Sequence, residues 1–457
     1  MPPFNLETCA RPNILALEPY HCARDDYNID GTDVLLDLNE NSHGSSLPAT
    51  ITSGDGGINR LFLHRYPDRL QHDLKQQLCD LRNTHVHTQQ DLSPDNLFLG
   101  IGSIEAIDAL IRCFCNPGRD RILTCPPTYG MYAVSAQVND AGVVEVPLLS
   151  APKFGLDIPA INKALSNDTT IKLAYFASPG NPTGSLLSKF DVEQILAHPT
   201  WNGIVVLDEA YIDFAHDNAS LAGLVNEYSN LVVMHTLSKA FGMAGIRLGA
   251  AYAPSPIARL LNNLKAPWNI PSTSSALASY AVSEEGVSIM RQNCAKISVQ
   301  RDRLREKLPT ISGVGRVRSG TDSNFLMFEL LNPQGKPDNT VAAAVYDKLA
   351  ETEGVVVRFR GKESGCFGCL RITIGTEDEI TYFLNSLHRT LVEMRMRDPE
   401  WARARARAKS RELMELDTGA EDSAVDVSYA SSNTSGIDQA TEKKKNEETI
   451  SNGVVTE

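Results

Sequence analysis

Four short stretches of this 457-residue chain hold side chains whose types and spacing could do chemistry. The first is Ser178-Pro179-Gly180-Asn181-Pro182-Thr183-Gly184. Two prolines and two glycines behind an apolar run specify an irregular turn that cannot continue as helix, so the amide of Asn181 projects from a rigid loop. The second, Val205-Val206-Leu207-Asp208-Glu209-Ala210-Tyr211, is an apolar strand ending in a carboxylate, with a phenol three residues on. A carboxylate at the end of a core strand is costly to bury unless a cation pairs with it. Asp208 suits a protonated heteroaromatic nitrogen and Tyr211 an adjacent ring oxygen, although both could equally make structural hydrogen bonds beside a loop.

The third stretch is Thr236-Leu237-Ser238-Lys239, followed by a glycine-broken segment and Arg247. A lysine at a dry strand end loses its proton readily and can form a Schiff base with an aldehyde. The forked guanidinium of Arg247 and the Ser238 hydroxyl suit a phosphate. The fourth, Gly100-Ile101-Gly102-Ser103-Ile104-Glu105, lies between a strand and a helix, where backbone N–H groups and the helix dipole favour an anion. Tyr129 supplies a ring able to stack on a ligand or to fill the core. Taken singly, Lys239 reads as a solvated surface lysine and the glycines as a simple helix cap. Together the stretches provide an aldehyde trap, a pyridinium partner, a phenol, a phosphate nest and a stacking ring, which are the requirements of pyridoxal 5'-phosphate.

The elements that must position these residues are legible as apolar runs at 95–102, 120–127, 171–179, 203–211 and 231–238, most leading into helix-compatible segments such as 103–116 and 191–197. Apolar strands alternating with helices specify a mainly parallel sheet sandwiched by helices, an α/β fold with ligands beyond the carboxyl ends of the strands. After Asn269 the pattern changes to one long helix over 274–307, a strand over 323–330, a helix near 340–352, and strands over 355–360 and 369–375. These specify a smaller α+β domain. The expected boundaries are an N-terminal arm over 1–45 contributing to the small domain, a large domain over 46–285, the small domain over 286–395, and a helix extension with an acidic tail over 396–457.

The chain carries a formal net charge of −13 with 22% charged and 42% hydrophobic residues, a globular composition. Residues 412–457 hold eleven Asp or Glu against three Lys, so −8 of that charge sits in a polar, aperiodic tail expected to be disordered. Before it, the Ala/Arg alternation at 401–411 favours a solvated basic helix end over a nucleic-acid arm. The acidic balance argues against nucleic acid as the main partner. No run of about eighteen apolar residues marks a membrane span, and the first twenty residues lack a secretory pattern, so a cytoplasmic location is expected. Nine cysteines are too sparse for a disulfide scaffold, and Cys366-Phe367-Gly368-Cys369 stands alone without a second pair at zinc spacing; no metal is expected.

The motifs quoted above, with Leu38-Asn39-Glu40-Asn41, His64-Arg65-Tyr66-Pro67-Asp68 and Gly368-Cys369-Leu370-Arg371-Ile372-Thr373, resemble the fold-type I pyridoxal-phosphate-dependent aminotransferases over residues 11–395. Within them the pattern is similar to the histidinol-phosphate aminotransferases. The resemblance implies that Lys239 carries the cofactor and that Asp208 pairs with its pyridine nitrogen. Tyr211 and Asn181 would contact the ring oxygen and Tyr129 would stack. Gly102, Ser103, Thr236, Ser238 and Arg247 would bind the cofactor phosphate. Tyr66 would reach the cofactor phosphate of the neighbouring subunit in a homodimer.

For substrate, the resemblance implies Arg371 as the anion-binding arginine, with Arg358, Tyr20 and Asn41 beside it. The implied reaction interconverts histidinol phosphate and 2-oxoglutarate with imidazole-acetol phosphate and glutamate, in histidine biosynthesis. The sequence departs from the family at Asn41-Ser42-His43-Gly44 and at Trp268, where a tyrosine is more usual. Two other enzymatic readings share the cofactor residues: decarboxylation of a phosphorylated amino acid and transamination of aromatic amino acids. A catalytically silent scaffold would be expected to lack Lys239 or Asp208, and both are present.

Overall fold

The computed structural model of the chain describes residues 4–18, 62–397 and 399. Tyr20, Asn41, the alternating segment at 401–411 and the acidic tail lie outside the described residues. A seven-stranded sheet runs in the order β1-β7-β6-β5-β4-β2-β3, with β1 Leu97–Ile101, β2 Arg121–Thr124, β3 Gly142–Glu145, β4 Ile171–Ala177, β5 Ile204–Asp208, β6 Leu231–Thr236 and β7 Leu248–Tyr252. Strands β6, β5, β4, β2 and β3 pair in parallel, whereas β7 lies antiparallel to both β1 and β6. The sequence showed β1, β2, β4, β5 and β6 as apolar runs. It did not show β7, whose Leu-Gly-Ala-Ala-Tyr carries little β signature, or the short β3 at the sheet edge.

The central strands are buried on both faces, and their side chains alternate between two cores, as the two-residue period of a strand requires. Ala174, Phe176, Val205, Leu207, Leu231 and Val233 pack on one side. Leu173, Tyr175, Ile204, Val206, Val232 and Met234 pack on the other, against helix Ser103–Phe114 and helix Ser255–Leu264.

A second sheet, antiparallel throughout, runs β10-β11-β9-β8, with β8 Val314–Val317, β9 Phe325–Leu330, β10 Arg358–Phe359 and β11 Cys369–Thr373. Leu326, Phe328, Leu370 and Ile372 form its core with helices Glu284–Lys307, Asn339–Glu351 and Glu377–Arg397. The single helix expected over 274–307 is two helices, Ser272–Ala281 and Glu284–Lys307. Ser283 adopts an extended backbone and caps the second by accepting from Gly286 N–H at 3.2 Å. A Cβ on Gly286 would lie 2.3 Å from Ala281 O, so the break depends on glycine there. The strand expected over 355–360 is reduced to Arg358–Phe359, because Val355 N–H instead bonds Leu349 O and closes the preceding helix.

One polar cluster sits in the large core. Asp213, just past β5, lies 2.9 Å from Arg82 Nη2 and 2.9 Å from His235 Nε2, and all three side chains are almost fully enclosed. Burial alone would raise Asp213, but the Arg82 guanidinium and His235 hold it well below the usual carboxylate range. The cluster pins the turn that follows Asp208 and Tyr211 to helix His72–Arg82 and to β6. Asp213→Ala strands a buried guanidinium and should cost about 3–5 kcal/mol in urea unfolding at neutral pH. Because the folded pKa is depressed, that contribution is complete above the unfolded value of about 3.9 and is lost as pH falls below it. A loss below about 1 kcal/mol at neutral pH would show the cluster to be structurally idle.

Candidate active site

The carboxyl ends of β1, β2, β4, β5 and β6 open on one edge of the large sheet, and β7 begins there. Connections leaving those ends bring Gly102, Ser103, Tyr129, Asn181, Asp208, Tyr211, Thr236, Ser238, Lys239 and Arg247 around a cavity of about 310 Å³, which Arg371 closes from β11 of the small sheet. Eleven of the fifteen residues singled out by sequence therefore line one space. Tyr66 does not; it stacks on Trp268 with ring centroids 4.5 Å apart and is half exposed. Arg358 is exposed on β10, directly opposite Arg371 in the ladder, and does not line the cavity. Tyr20 and Asn41 are outside the described residues.

Asp208 ends β5 fully enclosed. Its Oδ2 accepts from Tyr132 O–H at 2.7 Å and its Oδ1 from Ala210 N–H at 3.1 Å. Burial still pushes its carboxyl above the usual range, against the pull of those donors and of the Lys239 ammonium. Tyr132, which the sequence reading passed over, lies one helical turn after Tyr129 and stacks on Tyr175 of β4 at 4.9 Å. Lys239 Nζ sits 5.6 Å from the centre of the Tyr211 ring. Its pKa is lowered by burial and by the positive Arg371 and Arg247, with Asp208 opposing. The Tyr211 hydroxyl is driven up to about 12, chiefly by burial. Asp208 is enclosed while Lys239 remains exposed at the cavity, so the ammonium offsets part of the carboxylate's desolvation cost without itself being shut away from water.

At the β1 end, Gly102 takes φ 73°, and a Cβ there would lie 2.8 Å from Arg247 Nη2. A Cβ on Gly249 would fall 2.4 Å from Ser103 N. Backbone amide, guanidinium and β7 approach too closely for any side chain between them. Thr236 Oγ accepts from Ser238 N–H at 3.2 Å, and Gly102 N–H donates to Arg247 O at 3.1 Å. Arg247 has no carboxylate within ion-pairing distance among the described residues, which leaves a cationic nest at the start of a helix.

The Asn181 loop is tied to both sheets. Ser178 N–H donates to Asp208 O at 2.9 Å, while Gly320 N–H donates to Thr183 O at 2.7 Å and Asp322 N–H to Gly184 O at 3.0 Å. Asn181 Oδ1 accepts from Arg371 Nη1, and also from Nη2 of Arg360 at 2.9 Å. Arg360 was likewise passed over; its signal was the two-residue spacing from Arg358, which puts both on one face of a strand. Replacing Tyr132 by Phe keeps the ring stack and removes a donor from the buried carboxylate. A ¹³C NMR titration should then find Asp208 displaced further upward, and an unchanged titration would show that the hydroxyl does not hold its charge.

Comparison with known proteins matches residues 33–387 to the aminotransferase class I and II family. The histidinol-phosphate aminotransferase of Schizosaccharomyces pombe is 49% identical over 392 residues, covering 85% of this chain and 98% of the relative. That of Saccharomyces cerevisiae is 43% identical over 399 residues, 86% of this chain and 99% of the relative. In fold, the chain is similar to the crystal structure of histidinol-phosphate aminotransferase from Sinorhizobium meliloti in complex with pyridoxal-5'-phosphate. That likeness has a TM-score of 0.64 at 23% identity and covers 78% of this chain and 90% of the other. The mainly parallel sheet with its carboxyl-edge lysine and carboxylate, and the match along most of its length, lead to one conclusion: the chain belongs to the aminotransferase class I and II family.

Proposed function

We propose that this protein uses pyridoxal 5'-phosphate to interconvert L-histidinol phosphate and 2-oxoglutarate with imidazole-acetol phosphate and L-glutamate, as a step of histidine biosynthesis. The observation that carries the reading is a single cavity lined by the Lys239 amine, the Asp208 carboxylate and the Arg371 guanidinium. Relatives 43–49% identical over nearly their whole length, named histidinol-phosphate aminotransferase, support the choice of substrate.

The donor set fits the cofactor. A buried carboxylate with a raised pKa suits a ring nitrogen that brings its own proton, and the nest of Gly102, Ser103, Thr236, Ser238 and Arg247 suits a phosphate dianion. When bound, the cofactor supplies an electron sink for the charge left on carbon after proton removal. Lys239 would carry it and, once displaced by the substrate amine, would take a proton on Nζ and return it on the neighbouring carbon. The lowered pKa of Lys239 favours the neutral amine that this task needs. Asp208 would keep the ring nitrogen charged, Tyr211 and Asn181 would donate to the ring oxygen, and Tyr129 would cover one ring face. Arg371 would hold the substrate anion, aided by Arg358, Tyr20 and Asn41. Tyr66 would complete the phosphate site of a second copy, making the working unit a homodimer. Eight unpaired cysteines among the described residues, seven of them buried, suit the reducing cytoplasm, and none of the described helices is long and apolar enough to cross a membrane.

A spectral titration of the pyridoxal-phosphate-loaded protein tests the reading. Histidinol phosphate should convert the aldehyde-form absorbance to the amine form at far lower concentration than phenylalanine or aspartate. Conversion by the latter two alone would remove the histidine-pathway assignment. Lys239→Ala should abolish that conversion and cut turnover at least about a thousandfold. Subunit mixing tests the shared site: Tyr66→Ala and Lys239→Ala proteins, each inactive alone, should recover up to about a quarter of wild-type activity when co-refolded, since hybrids keep one intact site of two. No recovery would place Tyr66 outside the partner's site.

A further inference from the structure

At one end of the large sheet, beside its edge strand β1, a second cavity of about 510 Å³ opens between helix His72–Arg82, the turn Pro94–Asn96 and helix Ser255–Leu264. It shares no lining residue with the active-site cavity. Ser255, Arg259 and Asn262 recur at helical spacing and so turn one helix face to it. Lys75 enters from helix His72–Arg82, Arg69 from the chain before that helix, and Lys265 from the residue that ends helix Ser255–Leu264. Among the described residues the lining carries four cationic side chains and one carboxylate, the exposed Asp95.

Two of those cations are enclosed without a countercharge. Lys75 is 7% exposed, and its one hydrogen bond is a long one, from Nζ to Asn262 Oδ1 at 3.4 Å. The Asn262 amide is held in that orientation by donating to Leu97 O at 2.9 Å and Ala258 O at 2.8 Å. Lys265 Nζ is buried and has no hydrogen-bond partner. No carboxylate lies within ion-pairing distance of Lys75, Arg259 or Lys265 among the described residues. Burial lowers both lysines to about 8. Asp95, Asp68 and Cys79 act against this at Lys75; at Lys265, Lys75 and Arg69 add to the lowering while Glu105 and Asp68 oppose it. An ammonium shut away from water with no partner costs more than an apolar side chain of the same volume. An anion arriving from solvent would remove that cost.

We propose that this cavity binds a small polyanion carrying a diphosphate group, free or as part of a nucleotide, at a place separate from the active site. Lys75 and Lys265 supply point charges at the enclosed end, and Arg259, exposed on its helix, supplies forked donors suited to phosphate oxygens. The volume exceeds the needs of a lone ion and falls within the range of small-molecule pockets, about 300–1,000 Å³. A diphosphate concentrates several negative charges in a short span, which matches the excess of cations; a single carboxylate would leave most of them unbalanced.

Calorimetric titration of the pyridoxal-phosphate-loaded full chain with inorganic pyrophosphate tests the proposal. It should show a binding event that Arg371→Leu retains and that Arg259→Gln and Lys265→Met each weaken at least about tenfold. Any event at the active site is the one that Arg371→Leu loses. At pH 8 the bound anion holds both lysines charged, so binding takes up protons and the observed heat varies with the ionisation enthalpy of the buffer. Lys265→Met should raise the melting temperature of the unliganded protein and abolish the rise that pyrophosphate produces in the wild type. ATP binding more tightly than pyrophosphate would identify a nucleotide as the source of the group, and equal binding the free diphosphate. Citrate binding as tightly as either overturns the phosphate assignment. No event in the wild type at about 1 mM pyrophosphate and low salt, or an event kept in both cavity variants, would overturn the site itself. So would a Lys265→Met protein that melts lower and still responds to pyrophosphate. None of these outcomes bears on the aminotransferase reading, which the histidinol phosphate titration tests separately.

Discussion

A carboxylate held in the dry end of a parallel strand is the constraint around which the rest of the molecule is arranged. Asp208 could not remain charged on β5 without the donors from Tyr132 and Ala210 and the nearby ammonium of Lys239. Lys239, exposed but facing Arg371 and Arg247, is favoured in its charged form by that carboxylate. The enclosed carboxylate would be costly without those partners, so the fold carries that cost in advance. Such an arrangement is poised for a ligand that brings a positive nitrogen and a negative phosphate to the same pocket.

Holding that pair in register takes rigidity on several sides. Below the turn after β5, the Arg82–Asp213–His235 cluster locks the main chain. Glu209, enclosed beside it, accepts from Ser220 O–H at 2.5 Å and from Leu221 N–H at 2.7 Å, and burial raises its carboxyl to about 7. On the opposite side, the loop from Ser178 to Gly184 is bonded to β5 at one end and to residues 320–322 of the other sheet's approach at the other. Gly184, at φ 62°, would meet Ser323 Oγ at 2.9 Å if it bore a Cβ, so this junction admits no side chain. The two sheets therefore meet the pocket through backbone contacts as well as through Asn181.

Much of this arrangement was legible from residue order, and the omissions have physical reasons. Strands buried on both faces announce themselves as unbroken apolar runs, which is why β4, β5 and β6 and the residues at their ends could be read directly. Strand β7 was invisible because close approach to Ser103 demands glycine at 249 and two alanines follow it, residues that carry no strand signature. The interruption at Ser283 was written as a serine followed by two glutamates, an ordinary helix start concealed inside a longer helical pattern. Tyr132 could not be found at all, because its importance comes from meeting Tyr175 and Asp208 across the sheet, a tertiary fact with no local mark. Arg360 was recoverable from its alternation with Arg358 within the strand expected over 355–360, although it lies just past the two-residue β10 that forms there.

The geography of the pocket has a consequence for how such a protein diverges. Every group proposed to grip the cofactor within one subunit comes from residues 102–247 on the large sheet, while Arg371, proposed to hold the substrate anion, comes from the small one. The groups proposed for reaction type and for substrate choice thus sit on separate pieces of scaffold, joined through the Ser178–Gly184 loop. Drift along β10 and β11 can retarget the molecule to a different amine while the chemistry of nitrogen transfer stays untouched.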